Sequence, residues 1–577
     1  MSAPASFPPA AMPPNPAVPL RSPRTGPPGW VGLLLALPML LGWAYWLVIP
    51  TVQTIAEAFT GRAPGVGDTT VPAAAQRGGS FPDAFDAAGR TVLEALLPTL
   101  VMLIVVPLLT LAAAQAPSVL RKVIRVVLSV LAAGFAPVLL VLAWAHLAFQ
   151  PHSTTRDLLD SAPGVGAVLA LGTLGLVAGI GVSVLLAAFR RRAADQRPGL
   201  GGPVAVWAVL VLGTLAIALQ AVTVTLVLAP GRDVVSLGTQ AYADTFRSMR
   251  FGQGAADSTV LFLPVAILGL AAGLILILAR PRIELDPADR VAAPHRTRGL
   301  VLGLVALVVA AALLVVQLWP GLGLLTEPHT GDTPVPVGGT LRFALLPALL
   351  AAAVQVLLAY PAGIGIGAFR PLGRHSRWLL LPFLPWLFVT ITPLVTISAQ
   401  QAIAHDRLNT VLGAVPPILV SVPALVVFTL FGAGQGERWR AERAARRPVP
   451  FLRTVLLPSL PLVALVGLAA WLYEAHDVLW RFAVLTDAHT SADLTALRAF
   501  SSYTAQWPGL GLLAATAPLA VPALVVFAVV QIWYVDRLAI RLGDAPTDRG
   551  TPSGTGTDPV SAPRIGTLPP PLPPRPL

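Results

Sequence analysis

Five arginines, Arg438, Arg440, Arg443, Arg446 and Arg447, fall within about three helical turns of the stretch "GERWRAERAARRPVPFLRTVLLP", Gly436 to Pro458. Such a run is either a nucleic-acid contact or a signal that holds a loop on one side of a membrane. Apolar segments flank it on both sides, so topology accounts for it without nucleic acid. A second concentration of reactive types is "WLYEAHDVLWRFAVLTDAHT", with Trp471, Tyr473, Glu474, His476, Asp477 and Trp480. Aromatic faces and carboxylates suit a sugar-like solute or a gate at an external mouth, and an aromatic belt at the water interface accounts for the same rings. His476 with Asp477 is too small a set for a metal site. No nucleophile–base pairing is visible, so neither a catalytic residue nor a metal is expected. The chain has no cysteine, which removes disulfides, thiolate metal sites and cysteine nucleophiles. Lys122 is the only lysine, and "SVLRKVIRV" gives it no glycine framework, so no phosphate-binding loop for ATP is expected.

The elements that must position these residues follow from composition. Of 577 residues, 55% are hydrophobic and 11% are charged, and the mean hydropathy is +0.75. A soluble globule carries roughly 25% charged residues. Apolar runs long enough to cross a bilayer recur from Gly29 to Val535. The expectation is an all-α integral membrane protein of about twelve transmembrane helices. The first six runs span approximately 30–50, 93–115, 124–149, 164–188, 203–229 and 256–279. The second six span approximately 299–319, 342–369, 377–400, 409–431, 453–473 and 508–534. Residues 1–28 and 544–577 are proline-rich and read as disordered tails. The first apolar run has no clear small-residue cleavage site, so no cleaved signal is expected.

Loops sort by charge. One side holds Arg121, Lys122 and Arg125, then Arg190 to Arg192 and Arg197, then Arg280, Arg282, Arg290, Arg296 and Arg298, then Arg370, Arg374 and Arg377. In the loops of the other side, Asp and Glu offset scattered arginines. The positive-inside rule puts the basic side and both termini in the cytoplasm. "EALLPTL" at Glu94–Leu100 echoes "FALLPAL" at Phe343–Leu349, and the intervals from Pro98 to Arg121 and Arg125 equal those from Pro347 to Arg370 and Arg374. This spacing reads as an internal duplication, two tandem six-helix halves inserted the same way up with a path between them.

Across most of its length outside the tails, the chain resembles the membrane permeases of binding-protein-dependent ABC importers, of the maltose or sugar type. Residues 29–285 resemble the first permease of a pair and 299–543 the second, joined by a linker over 286–298. "LLLALPMLLGWAYWLVIPTVQTIAEAF" is similar to the opening span. "VIRVVLSVLAAGFAPVLLVLAWAHLAF" is similar to the third, with Trp144 at the usual tryptophan. "LAPGRDVVSLGTQAYADTFRSMRFGQGAADSTVLFLP" resembles the periplasmic segment, through Tyr242, Phe246, Gly252 and Ala255. "RLNTVLGAVPPILVSVPALVVFTLF" has the usual Asn-Thr start at Asn409 and Thr410, and the segment ending in Gln531 and Gly543 resembles the C-terminal span. The resemblance implies a path formed by the two halves, in a bacterial plasma membrane. It also implies cytoplasmic ABC ATPase subunits that carry the ATP, and an extracytoplasmic solute-binding protein that delivers the solute.

The family carries a cytoplasmic Glu-Ala-Ala motif, then a glycine, then about a dozen residues to Leu-Pro. Leu457 and Pro458 match the Leu-Pro. Counting back puts Trp439 at the glutamate, Arg440 and Ala441 at the alanines and Ala445 at the glycine, so only Ala441 is kept. Arg438 to Ala445 nevertheless read as a docking helix, ended by Pro448. Ala441, Ala444 and Ala445 share one small face, Glu442 can pair with Arg446, and Trp439 can anchor in a partner groove. A plain topogenic loop is the competing reading. The equivalent first-half loop, with Arg191, Arg192, Ala193, Ala194 and Asp195, is too short for the whole motif and lacks the glutamate. Trp144, Tyr242, Phe246, Asn409, Trp471, Tyr473 and Glu474 are the candidates for the translocation path or its mouth. No charged residue falls in the middle of a predicted span, and His146 lies near the end of one. This weighs against a twelve-helix secondary transporter driven by ions. A degenerate permease acting as a membrane scaffold or sensor is the third reading.

Overall fold

A computed structural model describes residues 29–61, 78–148, 161–190, 201–228, 236–285, 296–325, 337–445, 449–486 and 509–543. The expected tails and most of the 286–298 linker lie outside the described residues. Long apolar runs fold as helices because hydrocarbon offers backbone groups no partner outside the segment. The fold is that of a helical membrane protein. Among the described residues, nine helices are long and apolar enough to cross a membrane, or ten if one bent pair counts as a span. In chain order the helices used below are α1 (Gly29–Thr60), α2 (Phe81–Gln115), α3 (Ser118–Ala133), α4 (Pro137–Ala148) and α5 (Ala162–Ala188). Next come α6 (Gly201–Leu219), α7 (Leu237–Tyr242) and α8 (Phe251–Ala279). Then follow α9 (Arg296–Leu325), α10 (Gly338–Phe369), α11 (Val395–Ala404) and α12 (Val422–Ala444). The last three are α13 (Leu452–His476), α14 (Val478–Val484) and α15 (Gly509–Trp533).

Prolines set much of the local geometry. The π turns Ala44–Val48, Val101–Val105, Leu341–Leu345 and Leu452–Leu456 each end two residues before a proline: Pro50, Pro107, Pro347 and Pro458. A proline ring collides with the carbonyl one turn back and offers it no N–H. Widening that turn to π spacing relieves both problems without ending the helix. The third predicted run is the bent pair α3 and α4, which turns by 81°. Buried Gln317 of α9 donates to the carbonyls of Leu131 and Gly134, 3.4 and 3.0 Å away, and so covers backbone that the bend exposes.

Two predicted runs take other forms. Residues 377–400 are not one α-helix: a 3-10 helix, Gly373–Trp386, is followed by a short turn at Thr392–Leu394 and then α11. Pro382, Pro385 and Pro393 remove the donors that an α-helix there would need. The run expected at 409–431 is turns up to Ser421, whose side chain caps Ala424 N at 3.3 Å. The helix α12 therefore starts late and runs on into the stretch expected to be loop, as far as Ala444.

A two-stranded sheet joins the ends of the two expected halves. Strand β1 (Arg282–Leu285) pairs antiparallel with β2 (Leu538–Arg541), with Arg282 opposite Arg541 and Leu285 opposite Leu538. The described residues, Gly29 to Gly543, pack as one unit. Its main core draws on both expected halves, from Met39 and Leu47 to Phe428 and Leu538.

Candidate functional site

The first part of the arginine-rich stretch, 436–444, forms the end of α12, and glycines let it lie close to its neighbours. A Cβ on Gly434 would stand 2.1 Å from the Ile283 carbonyl oxygen, and one on Gly436 would stand 2.7 Å from Ala368 Cα. Small residues of this kind let helix backbones approach in membranes. The close approach delivers Glu437 between two arginines. Its carboxylate meets Arg282 Nη1 at 2.6 Å and also pairs with Arg370. Arg282 faces Arg541 across the strand pair, an unfavourable match of like charges. Glu284 resolves it by pairing with Arg282 at 2.6 Å and with Arg541 at 3.0 Å. Arg440 donates to the Ala368 carbonyl at the end of α10. Burial, then the neighbouring Arg370 charge, pushes the Arg440 guanidinium down to about 10, with Glu437 opposing the shift. It stays protonated at neutral pH.

Trp439 is committed inside the chain and is not available to fill a partner's groove. It is buried, meets Phe451 edge-on at 5.3 Å, and carries Arg443 5.0 Å above its ring. Phe451 in turn stacks on Phe369 at 5.2 Å. Glu442 pairs with Arg438 at 3.2 Å, one turn back. The expected partner Arg446, and Pro448, lie outside the described residues. Arg438, Ala441, Ala444 and Ala445 are exposed. Leu457 is exposed as well, and the Pro458 carbonyl accepts from Tyr534 Oη at 2.6 Å. In the first half, Arg191, Arg192, Ala193, Ala194 and Asp195 all lie outside the described residues.

The predicted mouth residues separate into two groups. Tyr242, Phe246, Asn409 and Glu474 gather around α14 and the loop that it touches. The Tyr242 ring lies 4.9 Å from Phe246 and 5.5 Å from Phe482 of α14. Asn409, at φ 57°, exchanges two 2.7 Å hydrogen bonds with Thr486, and its N–H donates to the Val484 carbonyl at 3.0 Å. Glu474 accepts from Gln355 at 2.7 Å, and Gln355 also donates to the Ile418 carbonyl at 3.0 Å. Asp477 caps α14 through Leu479 N at 3.1 Å, and Trp480 donates to the Gly413 and Val415 carbonyls. Tyr473, half-buried, precedes Glu474 on the same helix. Trp471 turns elsewhere and donates to the Leu345 carbonyl at 2.9 Å, while half-buried Trp144 lies on α4.

Sequence reasoning missed the polar seam along residues 386–401. Trp386 donates to Thr51 at 3.0 Å, and Gln220 accepts from the Thr390 backbone at 2.8 Å and its hydroxyl at 3.0 Å. Gln400 donates to Glu57 at 2.6 Å, and Gln401 to Gln53 at 3.0 Å. The contacts of Trp386 and Thr390 cover a non-α-helical stretch, which apolar surroundings tolerate only inside protein, while Gln400 and Gln401 lie on α11. The available signal was the polar content of "VTITPLVTISAQQ". Buried Glu94 and Asp257 were also underweighted. Both belong to helices longer than a bilayer is thick. From the basic ends of their helices to Glu94, Asp257 and Glu474 is about 32–33 Å of helix in each case, so all three lie near the opposite boundary. No protein family, curated protein or solved structure matches this chain.

Proposed function

We propose that this chain is the membrane-spanning permease of a binding-protein-dependent ABC importer, with two six-helix halves in one polypeptide. It crosses a bacterial plasma membrane twelve times and keeps both termini in the cytoplasm. A separate ATPase hydrolyses the ATP, and an extracytoplasmic binding protein delivers a small, sugar-like solute. One observation carries this reading. Ala441, Ala444 and Ala445 are exposed at the tip of α12, while Glu437, Trp439 and Arg440 tie the residues just behind them to β1, α10 and α13. A partner pressing on that tip would move three membrane elements together. The carboxylates near one boundary, with none halfway across among the described residues, favour external power over ion coupling.

The test is affinity purification from the native membrane, with mass spectrometry of what accompanies the chain. An ABC ATPase subunit is expected. Ala444→Asp should abolish its recovery while leaving membrane insertion and thermal stability intact. Solute uptake by reconstituted chain, driven by an ion gradient without ATP, would refute the reading.

A further inference from the structure

The first span of each expected half packs on the other half. A Cβ on Gly32 of α1 would stand 2.6 Å from the Gly365 carbonyl oxygen and 3.2 Å from Phe369 Cβ, at the end of α10. A Cβ on Gly303 of α9 would stand 2.7 Å from Ala116 Cβ and 2.5 Å from Leu120 Cδ2, where α2 gives way to α3. Residues 116 and 120 precede 365 and 369 by 249, the interval that separates Pro98 from Pro347 in the sequence repeat. The correspondence continues along both spans. Met39 and Ala310, seven residues beyond Gly32 and Gly303, are fully buried, so each span turns the same stripe inward. Further on, Trp43 meets Phe383 at 5.2 Å, and Gln317 donates to the Gly134 carbonyl at 3.0 Å. Residue 134 again precedes 383 by 249. Ala306 and Ala310 complete a core that is otherwise drawn from the first half.

The last long helix of each half crosses in the same way. A Cβ on Gly269 of α8 would stand 2.5 Å from the Leu384 carbonyl oxygen. Ala523 and Phe527 of α15 share a core with Phe135, which precedes Leu384 by 249. The strands that follow these two helices pair antiparallel with each other. A reciprocal contact, in which each copy offers the same surface to the other, is the mark of a twofold relation. Apolar helices meeting without such a relation have no reason to keep one sequence interval at several depths. Small residues at Gly32, Gly303 and Gly365 let the crossing helices approach, as close packing in a membrane requires.

We propose that the chain is an internally swapped dimer. In each half, the second span and the segment that follows it form a groove, and the first span of the other half occupies it. Gly365, Phe369 and Phe383 line one groove, and Ala116, Leu120 and Gly134 line the other. The two first spans are straps: neither half can draw away without stripping both grooves. The proposal rests on the two-half reading above but not on the ATPase or the solute, so failure to recover an ATPase leaves it standing.

The chain has no cysteine, so introduced pairs report cleanly. A Cβ on Gly365 would stand 3.1 Å from Leu35 Cβ, and the Gly303–Ala116 spacing is 2.7 Å, so a small adjustment brings either pair to the about 3.8 Å of a disulfide. The test uses the full chain in its native membrane, with a protease site placed in the 286–295 linker. After oxidation and cleavage, Leu35→Cys with Gly365→Cys, and Ala116→Cys with Gly303→Cys, should each hold the two fragments together on a non-reducing denaturing gel. Before cleavage the product should run as a single chain. Where cysteine variants fail to insert, hydrogen exchange in nanodiscs serves instead. Gly32→Ala should speed exchange about tenfold at the end of α10 and in 373–386 and leave α2 unchanged; Gly303→Ala should do so about fivefold at the end of α2 and in α3 and leave α10 unchanged. The proposal is overturned if neither cross-half pair links, if the link joins two chains, or if Leu35→Cys links to Ala116→Cys and Gly303→Cys to Gly365→Cys. Faster exchange confined to the half that carries the substitution overturns it as well.

Discussion

Replacing Glu437 with glutamine tests the clamp behind the α12 tip. The carboxylate pairs with Arg282, whose side chain is 3% exposed, and with Arg370, whose side chain is 29% exposed. At an effective dielectric near 20, charges about 4 Å apart attract by about 4 kcal/mol. The Arg370 share is smaller, about 1 kcal/mol, because water screens it. Glutamine is cheaper to bury than glutamate, which returns part of the loss. Arg282 also keeps Glu284 at 2.6 Å. The net loss is about 3 kcal/mol, or roughly 150-fold in the equilibrium for local opening. Hydrogen exchange in nanodiscs, followed by mass spectrometry, reads this directly at 282–285 and 538–541. Both strands should exchange about 150-fold faster, with α2 unchanged. Arg370→Gln should give about fivefold. A change under about threefold for Glu437→Gln would refute the reasoning, since the clamp would then contribute nothing to holding the strands.

Two further substitutions test the packing of the same helix. Gly434→Ala puts a methyl group 2.1 Å from the Ile283 carbonyl, so backbone must move; a loss of about 1–3 kcal/mol and less monodisperse protein on size exclusion are expected, while Gly338→Ala, with nothing within 4 Å, serves as the neutral control. Trp439→Ala should cost about 3–5 kcal/mol and lower Tm, because the ring is buried against Phe451. Trp439→Phe should recover part of that loss; a Tm unchanged by Trp439→Ala would mean that the ring is not a packing residue.

The clamp accounts for why the arginine-rich stretch is so basic and still folds tightly. Topology calls for positive charge at that end of the chain. Positive charge packed this closely needs acids placed among it, and Glu437 and Glu284 occupy those places. Glu437 lies inside the stretch singled out from sequence, yet nothing in its local spacing marks it. Its partners Arg282 and Arg370 are distant in sequence, 155 and 67 residues away.

Sequence alone determined that the chain is helical and membrane-embedded, because apolar length and the cost of unpaired backbone in hydrocarbon depend on composition and order only. It also located most spans, since charge at loop ends is a local property. It failed at 377–400 and 409–431, where hydropathy reports burial but not backbone form. Prolines, and glutamines from remote helices, decided the form there. The gathering of Tyr242, Phe246, Asn409 and Glu474 around α14 was legible as a set of residue types, not as a place. Trp439 shows the same limit from the other side: an aromatic residue on a basic helix looks equally suited to a partner or to its own core. Only the tertiary structure turned it inward against Phe451 and paired Glu437 with two remote arginines. Each of these depends on contacts between segments far apart in the chain, which no window of sequence contains.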